Sequence, residues 1–261
     1  MLKKFFSDFI GLFKICGLYI SFKWVLGIFL KIKSCVKEKN LQAADRFVGS
    51  GPFKVKRDKF QIQMTGENVI SGIREIWIRD VYLQNGLLKI PENGIVVDLG
   101  ANIGNFTLLA LASGCQKVIA VEPNKNLNDA FNKQIKINNF QSKVELQRYF
   151  IGGKTDLQKQ MLLREENSGA EFISAREFVN RNNLDRIDFL KCDIEGSEYE
   201  LLNNDNILFK NSKNVAIEIH GDKNKREEFI KKLKKLGFEI LHSKNDFESC
   251  ITLAKSINPD I

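Results

Sequence analysis

From residue 95 onward the apolar positions fall into two alternating patterns. Short, nearly continuous apolar runs, IVVDLG, KVIAVEP, KVELQRYF, IDFLKCD (187–193) and NVAIEIH (214–220), are separated by segments with helical spacing. Those segments are NFTLLALASG, NLNDAFNKQIKINNF and, at the end, the charged DKNKREEFIKKLKKLG. Apolar runs of this kind belong to strands covered on both faces, so the pattern predicts a parallel sheet joined by helical crossovers. The last runs, FEILHS and ESCITLAK, are separated by a short polar turn and read as a hairpin closing that sheet. Upstream, FKVKRDKFQIQMT (53–65) alternates apolar and charged residues as another hairpin would, and EIWIRDVYLQNGLLKI (75–90) leads through Pro91 and Gly94 into the first strand. Three parts result: residues 1–40, a lead-in over 41–94, and an α/β body over 95–261 built on a parallel sheet.

The first part has a different pattern. Residues 9–30, FIGLFKICGLYISFKWVLGIFL, are long enough to span a bilayer, but Lys14 and Lys23 interrupt them. A lysine near mid-membrane costs roughly 2.5–3.5 kcal/mol. On a helical wheel Lys3, Lys4, Ser7 and Lys14 share one arc and Lys23, Lys31 and Ser34 another, with Gly17 between them, so two short basic amphipathic helices are expected. Such helices lie in a membrane interface, lysines toward anionic headgroups and Phe, Leu, Ile and Trp24 toward the acyl boundary. A partner or oligomerisation helix, a spanning helix and a structural cap are the alternatives. A signal peptide fits less well, since the apolar run is broken and no A-x-A-like site follows it.

Charge sharpens this division. The chain of 261 residues carries +8, and residues 1–40 account for +6 of it, eight lysines against Asp8 and Glu38, leaving +2 for the other 221. The basic character belongs to the apolar N-terminal segment, whereas nucleic-acid arms are polar, so no nucleic-acid partner is expected. Five scattered cysteines without a C-x-x-C pair fit a reducing compartment, and with the basic segment they place the chain in the cytoplasm at the inner face of a membrane. Only His220 and His242 are present, which rules out a multi-histidine metal site.

In an open parallel sheet, ligands bind beyond the carboxyl ends of the strands. The first strand ends in D-L-G-A-N-I-G (98–104), where Gly100 and Gly104 let the backbone turn and approach a ligand at a helix N-terminus. The second ends in Glu122, 22 residues beyond Gly100, an acceptor for both hydroxyls of a ribose. Gly100, Asn102 and Asn105 occupy the three glycine positions of G-x-G-x-x-G, so two of the three fail, and no Walker lysine motif is present. A nucleoside cofactor without a cradled pyrophosphate remains, and S-adenosylmethionine meets that description.

The segments VVDLGANIGNFTLLA, VIAVEPN, IDFLKCDIEGSEYELL and AIEIH, in this order, together with E-x-W-x-R-x-x-Y-x-x-x-x-L at Glu75 to Leu87, resemble the FkbM-type S-adenosylmethionine-dependent methyltransferases over roughly residues 70–245. The resemblance implies a Rossmann-like class I methyltransferase fold with a mostly parallel seven-stranded sheet, and O-methylation of a hydroxyl on a sugar, glycan or natural product. Geometry and resemblance together assign Asp98 to the cofactor's amino-acid moiety, with Gly100, Asn102 and Gly104 packed close to it. They assign Glu122 to the ribose, and Arg148, Tyr149 and Phe150 to the flanks of the adenine. At the acceptor end Asp193, Glu195 and His220 are candidate general bases, joined by Lys191, Glu198 and Glu218. An extended strand would put Lys191, Asp193 and Glu195 on one face. A divalent cation such as Mg²⁺ held by the carboxylates is a further possibility. The rival classes are a catalytically silent methyltransferase-like partner-binding domain and a membrane-anchored scaffold.

Overall fold

The computed structural model describes residues 2–57, 60–152, 156–245 and 249–258. Four helices open the chain: α1 (Leu2–Cys16), α2 (Leu18–Leu30), α3 (Ile32–Glu38) and α4 (Gln42–Val48). The hairpin β1 (Phe53–Arg57) and β2 (Phe60–Met64) follows, then α5 (Val69–Gly72) and a wide helical turn, Ile73–Ile78. The body comprises β3 (Ile95–Leu99), α6 (Asn105–Ala112), β4 (Lys117–Val121), α7 (Lys125–Ile137), β5 (Val144–Gln147), β6 (Tyr149–Ile151), α8 (Asp156–Leu162), β7 (Glu171–Ile173) and α9 (Ala175–Asn182). It ends in β8 (Ile187–Cys192), α10 (Glu198–Asn203), α11 (Ile207–Lys210), β9 (Ser212–His220), α12 (Lys223–Lys235), β10 (Phe238–Asn245) and β11 (Ser249–Ser256). The turns expected at 58–59 and 246–248 lie outside the described residues.

The main sheet has the order β10-β11-β9-β8-β3-β4-β5. Its β9-β8-β3-β4-β5 part is parallel, and the terminal β10-β11 hairpin joins antiparallel to β9. The order reverses at β3, so the crevice between the ends of β3 and β8 is the topological switch point where ligands bind. Side-chain alternation along the strands divides the core. Val96, Val118, Ala120, Phe189 and Ala216 pack on one face with Phe106, Ile70, Trp77, Leu12 and Trp24. Val97, Leu99, Ile119, Val121, Leu190 and Ile217 pack on the other with Phe178, Phe209 and Phe229. The run KVELQRYF does not form one strand. It breaks at Arg148, and β6 leaves the main sheet to pair parallel with β7.

The N-terminal helices belong to this core. Gly17, at φ +89°, separates α1 from α2, as the wheel predicts. The expectation that Trp24 faces an acyl boundary is corrected: its side chain is fully buried, and its Nε1–H donates to Asp45 at 2.8 Å. Arg74 lies over the Trp24 ring and donates to both Asp45 oxygens at 2.7 Å. Asp8 of α1 is fully buried and pairs with Arg74 and Arg79, which flank the wide turn. Cutting such a pair leaves an uncompensated buried charge, at a cost of about 3–5 kcal/mol. Residues 1–40 are thus packed onto the body rather than appended to it. No described helix is long and apolar enough to cross a membrane.

Candidate active site

The turn after β3 is built around close backbone approach. Gly100 has φ +74°, and a Cβ there would stand 1.8 Å from the carbonyl oxygen of Asp193, so only glycine lets β3 and β8 end side by side. Lys191, buried at the end of β8, ties the two together by donating to the Gly100 carbonyl at 2.7 Å and the Leu99 carbonyl at 3.1 Å. Burial alone would lower its pKa, but the charges of Asp98 and then Asp193 reverse this and hold it raised. Asp98 is fully buried beneath the turn. Its Oδ2 accepts from the Thr107 hydroxyl at 2.7 Å, while Oδ1 receives no aligned donor and lies 3.3 Å from Lys191 Nζ. Asp98 therefore fixes the turn from behind rather than lining the cleft.

Glu122 is fixed by two backbone amides. The Asn102 N–H donates to Oε2 and the Asn124 N–H to Oε1, both at 2.9 Å. A carboxylate accepts about four hydrogen bonds, so two remain for vicinal hydroxyls of a ribose. Burial is the main influence on its pKa and raises it, opposed by those two amides. Asn102 itself sits at φ +51°, and Gly104, at φ +88°, is the N-cap of α6. Above this turn lies a cleft of about 520 Å³, of the size that small-molecule sites have. Gly100 to Ile103, Asn126 and Leu127 line one end, and Glu75, Tyr82, Asp193, Glu195, Glu218 and His220 the other. None of Arg148, Tyr149 and Phe150, the expected adenine flank, lines this cleft, because the strand breaks at Arg148. The Arg148 guanidinium donates to the carbonyls of Pro123 and Ser168, clamping two loops. Phe150 is buried against Phe172, and the Tyr149 hydroxyl accepts from Arg181.

The acceptor end gathers charge from three segments. β8 ends at Cys192, and Glu195 has φ +53°, so the expected common face of Lys191, Asp193 and Glu195 does not form as an extended strand. The reversal instead turns Glu195 back, its Oε2 standing 3.5 Å from His220 Nε2, with Asp193 at 4.0 Å and Glu218 at 3.8 Å. The fully buried Glu198 receives the His220 backbone N–H at 2.6 Å and lies 3.1 Å from His220 Nδ1. Burial would lower the His220 pKa, but the hydrogen bond and charge of Glu198, then Asp193 and Glu195, raise it to about 9. Burial first, and next the charge of Asp193, push the carboxyls of Glu75 and Glu218 up. The buried Tyr82 donates its hydroxyl to Asp193 Oδ2 at 3.1 Å, and its pKa is pushed well above 10, again by burial first. Asp193, Glu195 and His220 offer ligand atoms within 4.8 Å of one another, the donor set a divalent cation would use.

Glu75 and Tyr82 were not assigned roles from the sequence, although both belong to E-x-W-x-R-x-x-Y. The wide turn carries a bond from the Arg79 N–H to the Arg74 carbonyl, a five-residue span. This spacing puts Arg74 and Trp77 inside and leaves Glu75 and Ile76 on the cleft.

A parallel sheet reversing at β3, a glycine turn opening α6, an acidic residue ending β4 and an antiparallel terminal hairpin define a Rossmann-like methyltransferase architecture. The methyltransferase FkbM domain matches residues 98–240, more than half of the chain, and the protein belongs to that family of S-adenosylmethionine-dependent methyltransferases. No curated protein matches it. Solved structures with similar folds include Trm5b from Pyrococcus abyssi, at 10% identity and a TM-score of 0.47, covering 78% of this chain and 55% of that one. Ribosomal protein L11 methylase from Lactobacillus delbrueckii subsp. bulgaricus gives 15% identity and 0.44, covering 69% and 76%. Precorrin-6y C5,15-methyltransferase from Geobacter metallireducens gives 14% and 0.44, covering 68% and 87%.

Proposed function

We propose that the protein methylates a hydroxyl group of a sugar or glycan, carried at the inner face of a membrane. The observation that carries the reading is the acceptor end of the cleft, where Asp193, Glu195 and Glu218 stand within 4.0 Å of His220 and Glu75 lines the same cleft. Adjacent carboxylates accept hydrogen bonds from neighbouring hydroxyls of a polyol, and the sequence has no Asp/Asn-Pro-Pro-aromatic segment of the amino methyltransferases. S-adenosylmethionine, when bound, supplies a methyl group on a sulfonium, whose positive charge is neutralised as the methyl leaves. No added cation is needed for that step, so the chain's work is alignment, exclusion of water and removal of a proton. Glu122 and the Gly100–Gly104 turn hold the nucleoside and amino-acid parts. With its pKa raised to about 9, His220 is an imidazolium at neutral pH, which serves to gather the carboxylates around it. Asp193, oriented by the Tyr82 hydroxyl, takes the hydroxyl proton.

A second reading gives Asp193, Glu195 and His220 a divalent cation that would hold and acidify the acceptor hydroxyl. One experiment separates the readings: purified protein is incubated with radiolabelled S-adenosylmethionine and a panel of glycans and lipid-linked sugars, with and without EDTA. An O-methyl sugar formed equally well in EDTA supports the first reading. Loss of activity restored by Mg²⁺ supports the second, and label found only on nitrogen overturns both.

A further inference from the structure

The three N-terminal helices are apolar on two sides. Their inner sides supply Leu12, Ile20, Trp24 and Cys35 to the core. Their outer sides carry Phe6, Ile10 and Phe13 on α1, Leu18, Tyr19, Phe22, Leu26, Phe29 and Leu30 on α2, and Ile32 and Val36 on α3, all exposed. Spacing of three and four residues puts each set on one stripe. Eleven of the fourteen exposed large hydrophobic residues described in the chain lie in this stretch, so the patch is a feature of these helices and not of the surface at large. A helix apolar all round belongs either in a protein core or in lipid, and α2 has core on one side only.

Charge says what covers the other side. Lys4, Lys14, Lys31, Lys33, Lys37 and Lys39 are exposed among these stripes, and no described carboxylate lies within ion-pair distance of them. The segment's own acids are occupied: Asp8 is held by Arg74 and Arg79, and Glu38 pairs with Arg46 at 2.9 Å. A second copy of the same face would bring like charges together. An anionic bilayer takes both components, lysines at the headgroups and aromatic and aliphatic tips below them. Gln42, which opens α4 just after α3, lines the cleft, so the patch ends near the cleft's rim.

We propose that the outer face of α1–α3 is a docking surface for anionic lipid, on which the folded protein lies with its N-terminal helices intact. This names the surface behind the membrane location given above. It requires no step of methyl transfer, so methylation without lipid binding would overturn the docking alone.

The test is co-sedimentation of the full chain with vesicles of phosphatidylcholine, alone or mixed with phosphatidylglycerol. Strong binding to the mixed vesicles only is expected, weakened in part by high salt. Each lysine near an anionic surface is worth about fivefold in partition, so K14E/K31E/K33E/K37E should lose at least about 100-fold. F22S/F29S should lose at least about tenfold, with circular dichroism unchanged, because both rings are exposed. Trp24 and Trp77 are both buried, so tryptophan emission should not shift on binding; a large blue shift would mean that the helices leave the body, and would overturn docking as a folded unit. No binding to phosphatidylglycerol at low salt would overturn the proposal, as would binding that ignores the lysine variant. A dimer abolished by F22S/F29S in a protein that ignores vesicles would assign the face to a second copy instead.

Discussion

The two ends of the cleft hold their charges in opposite ways. At the cofactor end each acidic group has a fixed protein partner: Asp98 the Thr107 hydroxyl, with Lys191 at 3.3 Å, and Glu122 two backbone amides. At the acceptor end burial and then the charge of Asp193 push the carboxyls of Glu75 and Glu218 up, and His220 stands within 4.0 Å of Asp193 and 3.8 Å of Glu218. The first arrangement is a cradle whose acidic groups are oriented by the chain itself. The second is crowded with acidic groups, and any ligand that donates hydrogen bonds into it relieves the repulsion. Binding and chemistry should therefore separate under mutation.

The largest effect should fall on chemistry. Asp193→Asn should lower turnover by roughly 10² to 10⁴ while cofactor affinity stays within about twofold, as measured by labelled methyl transfer beside calorimetry. A matched loss of both would erase the division. The next effect belongs to the cradle: Glu122→Ala removes hydrogen bonds to a charged acceptor worth about 1.5–3 kcal/mol, and should weaken cofactor binding roughly 10- to 150-fold.

Stability offers a third way to break the comparison. Gly100→Ala forces a Cβ against the Asp193 carbonyl at positive φ, and should cost about 1–3 kcal/mol in urea denaturation while disturbing both ends together. The smallest effect is a pH slope. The pKa of His220 is raised above the ordinary value of 6.5 to about 9, so its contribution to stability is fully present below about pH 6.5 and is lost as pH rises through about 9. Wild-type stability should fall across that interval, and His220→Gln should flatten the fall.

The same contrast explains what was legible in the sequence. The cradle could be read because a tight turn dictates residue types at adjacent positions: Gly100 and Gly104 for positive φ, and Glu122 at a fixed distance after the next strand. The parallel strands and the closing hairpin followed from apolar runs for the same local reason. The acceptor end is assembled from the wide turn, the end of β8 and β9, and the residues of β8, β9 and the segment after β8 announced themselves: Asp193, Glu195 and His220, with Lys191, Glu198 and Glu218. Glu75 reaches the cleft through a five-residue helical span that ordinary helical periodicity does not anticipate, and Tyr82 from the irregular turn that follows it. Arg148 to Phe150 were misplaced because an apolar run does not show where a strand changes sheets. Trp24 read as a lipid-facing residue because it sits in an apolar, aromatic segment punctuated by lysines, and its partner Asp45 lies beyond the segment that suggested the role.

The central claim is that the cradle binds the cofactor independently of the acceptor cluster. Isothermal titration of the full chain with S-adenosylmethionine, in wild type, Glu122→Ala and Asp193→Asn, tests it most directly. The account predicts saturable one-to-one binding in wild type and Asp193→Asn with nearly equal affinities, and a clear loss in Glu122→Ala. Absence of binding in wild type, or a loss in Asp193→Asn as large as that in Glu122→Ala, would contradict it.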